Sequence, residues 1–254
     1  MLNALKRLFA GKSVEVDWPA VEAWARHLGL GLRHERDPFK VVCEGAFDAA
    51  QRWRLEYGTP QRDYIEGHEL RARVELDLPP TLNVLLLSRP LKEQLEAAAF
   101  ERFTQAMATR IDTASPEEMR WLAMYPKVAL RASEALRTRY SLVANAPAAA
   151  LAWLDGRLAQ RLGEHAAGMQ DAPFVLMTLR GRLYLRQAAA APLNVQLLEE
   201  TLDLLKLASA RARETLAQWT EDDDGSWVST TSHAWAIDTH IDLPLDPLPG
   251  AEPR

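Results

Sequence analysis

Glu69-Leu70-Arg71-Ala72-Arg73-Val74-Glu75-Leu76-Asp77-Leu78 alternates without a break, with apolar side chains at the even positions and charged ones at the odd positions. Successive side chains of a strand point to opposite faces, so this period of two predicts a β-strand with one face in a core and the other in water. Only an antiparallel sheet commonly keeps one wet face. The stretch therefore places the chain among proteins with an antiparallel sheet, and its neighbours extend the pattern.

Upstream, Phe39 to Phe47 sets Phe39, Val41, Cys43, Gly45 and Phe47 against Lys40 and Glu44, and Arg52 to Tyr57 sets Trp53, Leu55 and Tyr57 against Arg52, Arg54 and Glu56. Downstream, Leu82 to Leu87 is apolar on both faces and bounded by prolines, which predicts a more deeply buried strand. A sheet of about four strands is expected. Its wet face would carry Lys40, Arg52, Arg54, Arg71 and Arg73 together with Glu44, Glu56, Glu69, Glu75 and Asp77. Such a face is a neutral ladder of cross-strand pairs rather than an RNA platform, because Trp53 and Tyr57 fall on the apolar side.

Helices flank the strands. Asp17 caps a helix with Pro19 in its first turn, with Val21, Trp24, Ala25 and Leu28 on one face and Gly29 after it. Leu91, Leu95, Ala98, Phe103 and Met107 mark a second helix running to about Arg110, and Ser115-Pro116-Glu117-Glu118 reads as a capping box that opens a third. Tyr140 to Ala144 predicts a strand. Pro147 opens a helix with Leu151, Leu154, Leu158 and Leu162 inward and Gly163 after it. Phe174 to Arg186 predicts a hairpin turning at Arg180-Gly181, and Leu193 to Trp219 a long helix. Strands followed by helices, twice, predict an α+β chain in two lobes: an N-terminal antiparallel sheet with flanking helices over 14–112, and a C-terminal helix/hairpin/helix lobe over 113–219.

The 254 residues carry 30 Lys and Arg against 35 Asp and Glu, a formal charge of -5. The imbalance is local. From residue 218 onward there are eight acids and one base, so the body before it is nearly neutral, with 27 acids against 29 bases. A near-neutral body lacks the basic stripe that nucleic acid requires, so no nucleic-acid partner is expected. No long apolar run is present and no stable membrane insertion is expected; Met1 to Ser13 carries Leu2, Leu5, Leu8 and Phe9 on one helical face and is read as a helix that packs on its own protein or frays. The single cysteine, Cys43, can form neither an internal disulfide nor a thiolate metal cluster, which points to a cytoplasmic protein.

The acidic tail, 220–254, has a pattern of its own. Trp227, Trp235, Ile237 and Ile241 share one parity of an extended alternation, with Asp238, His240 and Asp242 on the other. That patterning suits addition to a sheet edge, of the body itself or of a partner, and these four apolar residues are the candidate contacts to a protein partner or to a second copy. Asp238, His240 and Asp242 recur at roughly 7 Å steps along a strand, too far apart for one metal ion.

Standard catalytic signatures fail on spacing. Gly11-Lys12-Ser13 lacks the first glycine of a phosphate loop, and Gly29-Leu30-Gly31 has His34 where a dinucleotide fingerprint needs its third glycine. His34-Glu35 and His68-Glu69 start zinc-protease patterns whose second histidine positions hold Pro38 and Ala72. No catalytic residue, metal or cofactor is assigned. One polar cluster remains, the loop 58–69, with Arg62, Asp63, Tyr64, Glu66 and His68 between two strands; Arg62 and His68 could hold an anion while Asp63 or Glu66 acts as a base.

Trp53-Arg54-Leu55-Glu56-Tyr57-Gly58, Gln61-Arg62-Asp63-Tyr64-Ile65-Glu66-Gly67, Glu69-Leu70-Arg71 and Pro116-Glu117-Glu118-Met119-Arg120-Trp121-Leu122 together resemble a group of uncharacterised bacterial proteins of unknown function. The resemblance implies no activity and carries over no functional residue. The expectation is a non-catalytic protein-binding or accessory component. An enzyme or small-ligand binder using loop 58–69 is the alternative, and a secretion-chaperone-like body is suggested only by the helix, hairpin, helix order after Pro147.

Overall fold

A computed structural model describes residues 16–105, 116–131, 134–169 and 171–220. Among these residues nine strands form one antiparallel sheet: β1 (Gly31–Arg36), β2 (Phe39–Ala46), β3 (Arg52–Gly58), β4 (His68–Glu75), β5 (Val84–Ser88), β6 (Lys127–Val128), β7 (Tyr140–Ala144), β8 (Phe174–Leu179) and β9 (Arg182–Ala189). Their spatial order is β1-β2-β3-β4-β9-β8-β5-β7-β6. The expected α+β class is observed, with a sheet of nine strands rather than about four. Strands from 14–112 and 113–219 lie in the same sheet: β4 pairs with β9, and β5 lies between β8 and β7.

Seven helices accompany the sheet among the described residues: α1 (Trp18–His27), α2 (Arg89–Gln105), α3 (Glu117–Met124), α4 (Glu134–Arg139), α5 (Pro147–Trp153), α6 (Gly156–Met169) and α7 (Val195–Thr215). One face of the sheet is covered by α1, α5, α6 and α7. Its inward alternates Val41, Cys43, Trp53, Leu55, Tyr57, Leu70, Ala72 and Val74 join Trp153, Leu158, Leu162, Leu198 and Leu205 in a single core. Two polar tips in that core are satisfied: the Trp153 indole donates to the Ala208 carbonyl at 3.0 Å and the Tyr140 hydroxyl to the Leu162 carbonyl at 3.2 Å. A buried polar group without such a partner would cost on the order of 1–3 kcal/mol.

The opposite face is divided. On β5, β7 and β8 it is apolar, and Leu85, Leu87, Val143, Val175 and Met177 are covered by α2 and α3 through Leu91, Leu95, Met119 and Trp121. On β2, β3, β4 and β9 it carries the charged ladder. This division explains why β5 is buried at all five positions whereas β4 alternates.

Several local expectations are corrected. Strand β1 was not expected; it has no apolar stripe because it is an edge strand, mostly exposed on both faces. The helix opened by Pro147 breaks at Leu154-Asp155 and restarts at Gly156, whose φ of +57° suits glycine, and it passes through Gly163 to Met169. Asp17 does cap α1, accepting from the Ala20 amide at 3.4 Å, but Leu28 is exposed rather than inward. Helix α3 has Pro116 at its N-cap with no side-chain cap bond, and the Glu118 side chain is used elsewhere. Met1 to Ser13 and the tail from 221 lie outside the described residues.

Candidate functional site

Loop 58–69 connects β3 to β4 along the seam between the apolar and charged halves of the outer face. A turn closed by the Ile65 amide on the Arg62 carbonyl at 3.0 Å swings Tyr64 and Ile65 inward, where both are buried beside Met119 and Trp121. Gly67, at φ +76°, then turns the chain into β4. At the far end of the seam, Glu118 projects from the first turn of α3 with none of its side chain exposed. The Tyr64 hydroxyl donates to its Oε1 at 2.9 Å, and Arg62 Nε lies 3.2 and 3.3 Å from its two oxygens.

Burial raises the pKa of the Tyr64 phenol far above its ordinary value, and the Glu118 charge adds to the effect. For Arg62, burial alone would weaken the cation, yet Glu118, with Tyr64 and Glu69 behind it, more than offsets this and holds its pKa above the usual value. This is a buried, charge-assisted hydrogen-bonded cluster centred on the Glu118 side chain.

Glu69, the second residue of β4, is also fully buried. It accepts from the Gln61 amide at 2.7 Å and from Arg186 Nη1 at 2.5 Å, with Arg71 Nη1 at 3.4 Å. From there opposite charges alternate across the strands: Arg71 to Glu56 at 2.5 Å, Arg54 to Glu56 at 2.5 Å, Arg54 to Glu44 at 3.0 Å, and Glu44 to Arg33 at 3.0 Å. Burial would raise the Glu56 carboxyl, but Arg71 and Arg54 outweigh it and hold the pKa below the ordinary value. Most of the expected ladder is thus built, with Arg33, Arg182 and Arg186 as members that period-two reading of the first strands could not supply, whereas Arg52 makes no ion pair among the described residues and Asp77 lies beyond the end of β4.

The five loop residues singled out from sequence do not converge. Arg62 and Tyr64 meet on Glu118, while Asp63 and Glu66 are exposed. His68 lies on the core side of β4, its ring stacked on Tyr57 at 5.0 Å and edge-on to Phe39 at 6.3 Å. Glu118, which completes the cluster, was read from sequence only as a capping residue. Nothing in its own neighbourhood announces a partner 54 positions away.

A shallow groove of about 460 Å³ opens between the β2–β3 turn and the last turns of α7, lined by Phe47, Asp48, Gln51, Lys206, Ala210, Arg213 and Glu214. Its charges are balanced and partly consumed, since Arg213 Nη1 bonds Asp48 Oδ2 at 3.0 Å. Among the described residues, no group of three His, Cys, Asp or Glu is placed to hold a metal ion, and no helix is long and apolar enough to cross a membrane. The candidate partner residues Trp227, Trp235, Ile237 and Ile241 lie outside the described residues.

Comparison with family models finds no match, and comparison with curated proteins finds none. Among solved structures the chain is similar to the mycobacterial trehalose monomycolate transport factor A, with 9% identity and a TM-score of 0.44 over 80% of this chain and 97% of that one. At that score the likeness carries no argument about function.

Proposed function

We propose that the chain is a non-catalytic protein-binding or accessory component of the cytoplasm, whose partner contacts run through the acidic tail with Trp227, Trp235, Ile237 and Ile241 as apolar anchors. The observation that supports this reading is the dispersal of loop 58–69. Its strongest polar groups are committed to Glu118 and Glu69, and its remaining candidates point elsewhere. An enzyme or anion binder needs uncommitted groups aimed at one point. The ladder guanidiniums are likewise matched by carboxylates, leaving little net field for a nucleic acid.

The test is quantitative affinity capture from the native cell with the full chain, compared with a Trp227→Ala/Trp235→Ala/Ile237→Ala/Ile241→Ala variant. A partner recovered with the wild type and lost with the variant supports the reading. A partner set indifferent to all four substitutions overturns it.

A further inference from the structure

The ladder of alternating charge does not end in the middle of the sheet; it runs to Arg33 on the edge strand β1, which among the described residues pairs only with β2. The direction of its free backbone groups follows from its neighbour. The Thr59 amide bonds the Phe39 carbonyl at 3.3 Å, and the Phe47 amide bonds the Gln51 carbonyl at 3.0 Å. Odd residues of β2 therefore bond toward β3, and the even residues Lys40, Val42 and Glu44 bond toward β1. Their register partners are Glu35, Arg33 and Gly31. The amides and carbonyls of Leu32, His34 and Arg36 consequently point outward, along an edge that is exposed at every position except the half-buried Leu32.

We propose that this edge is a homodimer interface, in which β1 pairs antiparallel with β1 of a second copy about a two-fold axis at His34 and joins two nine-stranded sheets into one. Backbone parity permits pairing only where outward residues meet outward residues. Centring on His34 satisfies this for all three, setting His34 against itself and Leu32 against Arg36 of the second copy. Side-chain charge selects the same register. It sets Arg33 opposite Glu35 of the second copy, twice by symmetry, at non-hydrogen-bonded positions where side chains approach most closely. Glu35 would then lie between Lys40 of its own chain, 3.1 Å away, and Arg33 of the second copy, so the alternation continues across the axis. The adjacent registers of the same parity bring Arg33 against Arg33 or Glu35 against Glu35. Charges on an edge strand ordinarily deter strand addition. Here the two-fold converts the deterrent into two matched pairs, which makes a second copy the occupant that fits.

The test is the oligomeric state of the full chain by sedimentation over a concentration series, with circular dichroism confirming the fold of each variant. The wild type is expected to be dimeric at about 100 μM, which corresponds to modest affinity. Arg33→Glu should raise the dimer dissociation constant at least about tenfold, because two attractive pairs become repulsive. Arg33→Glu/Glu35→Arg should restore it. The double exchange worsens both in-chain pairs, with Glu44 and Lys40, so only contact between copies can produce the rescue. His34→Pro removes an outward amide that no described strand of the same chain uses and should give a folded monomer. A monomeric wild type, a dimer indifferent to Arg33→Glu or His34→Pro, or a double exchange without rescue would each overturn the proposal. Because none of these substitutions touches the tail, the proposal stands or falls separately from tail-mediated partner binding.

Discussion

The Tyr64 hydroxyl and the Glu118 carboxylate meet at 2.9 Å within the seam where helix α3 closes over the sheet, with Arg62 completing the cluster from one side. Removing the carboxylate while leaving Arg62 in place strands a partly buried cation. Glu118→Ala should therefore cost about 3 kcal/mol, the low end for breaking a buried pair because Arg62 keeps some access to water. Tyr64→Phe removes one hydrogen bond to a charged acceptor and should cost about 1.5 kcal/mol. Urea unfolding of both variants and of the double variant measures the coupling. Additive losses would show that the two groups do not act on each other.

The same pair sets an alkaline response. The folded pKa of Tyr64 is raised, so the fold favours the neutral phenol; its stabilising contribution is complete below the unfolded value of about 10 and is lost as pH rises past it. Tyr64→Phe should flatten the alkaline limb of the stability curve above about pH 10, leaving the contributions of Tyr140 and Tyr125, whose phenols are also raised by burial. An unchanged alkaline limb would show that Tyr64 ionises as it does in the unfolded chain.

Strands β3 and β4 were legible in the sequence because a half-buried strand must alternate, and Trp53-Leu55-Tyr57 and Leu70-Ala72-Val74 do so. Strand β1 was not legible, since an edge strand needs only a neighbour's backbone, and Gly31-Leu32-Arg33-His34-Glu35-Arg36 shows no apolar period. Burial of β5 was legible from its unbroken apolar run, but its place between β8 and β7 depends on long chain closures, from Val84 to Ala144 and from Val84 to Thr178, which no local pattern encodes. The loop residues Arg62 and Tyr64 were recognisable as a polar concentration. Their destination was not, because Glu118 satisfies a helix-start pattern in its own right and its tertiary partner leaves no mark on adjacent residues.

The β8–β9 hairpin offers a stabilising substitution. Arg180 and Gly181 both have positive φ, 51° and 77°, the pattern of a two-residue turn that favours Asn-Gly. Arg180→Asn should raise stability by about 0.5 kcal/mol, since asparagine tolerates the left-handed region better than arginine. Gly181→Ala should do the reverse, by at least about 1 kcal/mol, because a Cβ there would lie 3.0 Å from the Leu78 carbonyl in a backbone conformation that disfavours it. Thermal melts of the two variants should move in opposite directions.

His165 gives an acid response of opposite sign to that of Tyr64. It is buried on α6 against the Phe174 ring at 5.0 Å, with the Gln187 amide, Arg161 and Glu200 facing it. Burial holds its pKa below the ordinary value, more than offsetting the nearby Gln187 side chain, and Arg161 adds to the lowering while Glu200 opposes it. The folded state therefore prefers the neutral ring. Its contribution is complete above the unfolded value of about 6.5 and is lost as pH falls below it. His165→Gln cannot gain a proton, so its stability should fall less steeply than that of the wild type below about pH 6.5. Parallel acid limbs would place the acid sensitivity elsewhere.

Cys43 makes the core itself measurable. It sits mid-strand on β2 with no exposed surface, and burial pushes its thiol up to about 12. The thiolate is the reactive form, so both access and ionisation protect it in the folded chain. At about pH 8, alkylation should proceed only through opening of β2 from its neighbours, and its rate should rise with urea in step with unfolding followed by circular dichroism. The Glu118→Ala chain should label faster in proportion to its lost stability if α3 and the seam belong to the same cooperative unit as β2. If that variant loses stability by circular dichroism while Cys43 labels at the wild-type rate, the outer face unfolds separately from the core, and the sheet is not one cooperative body.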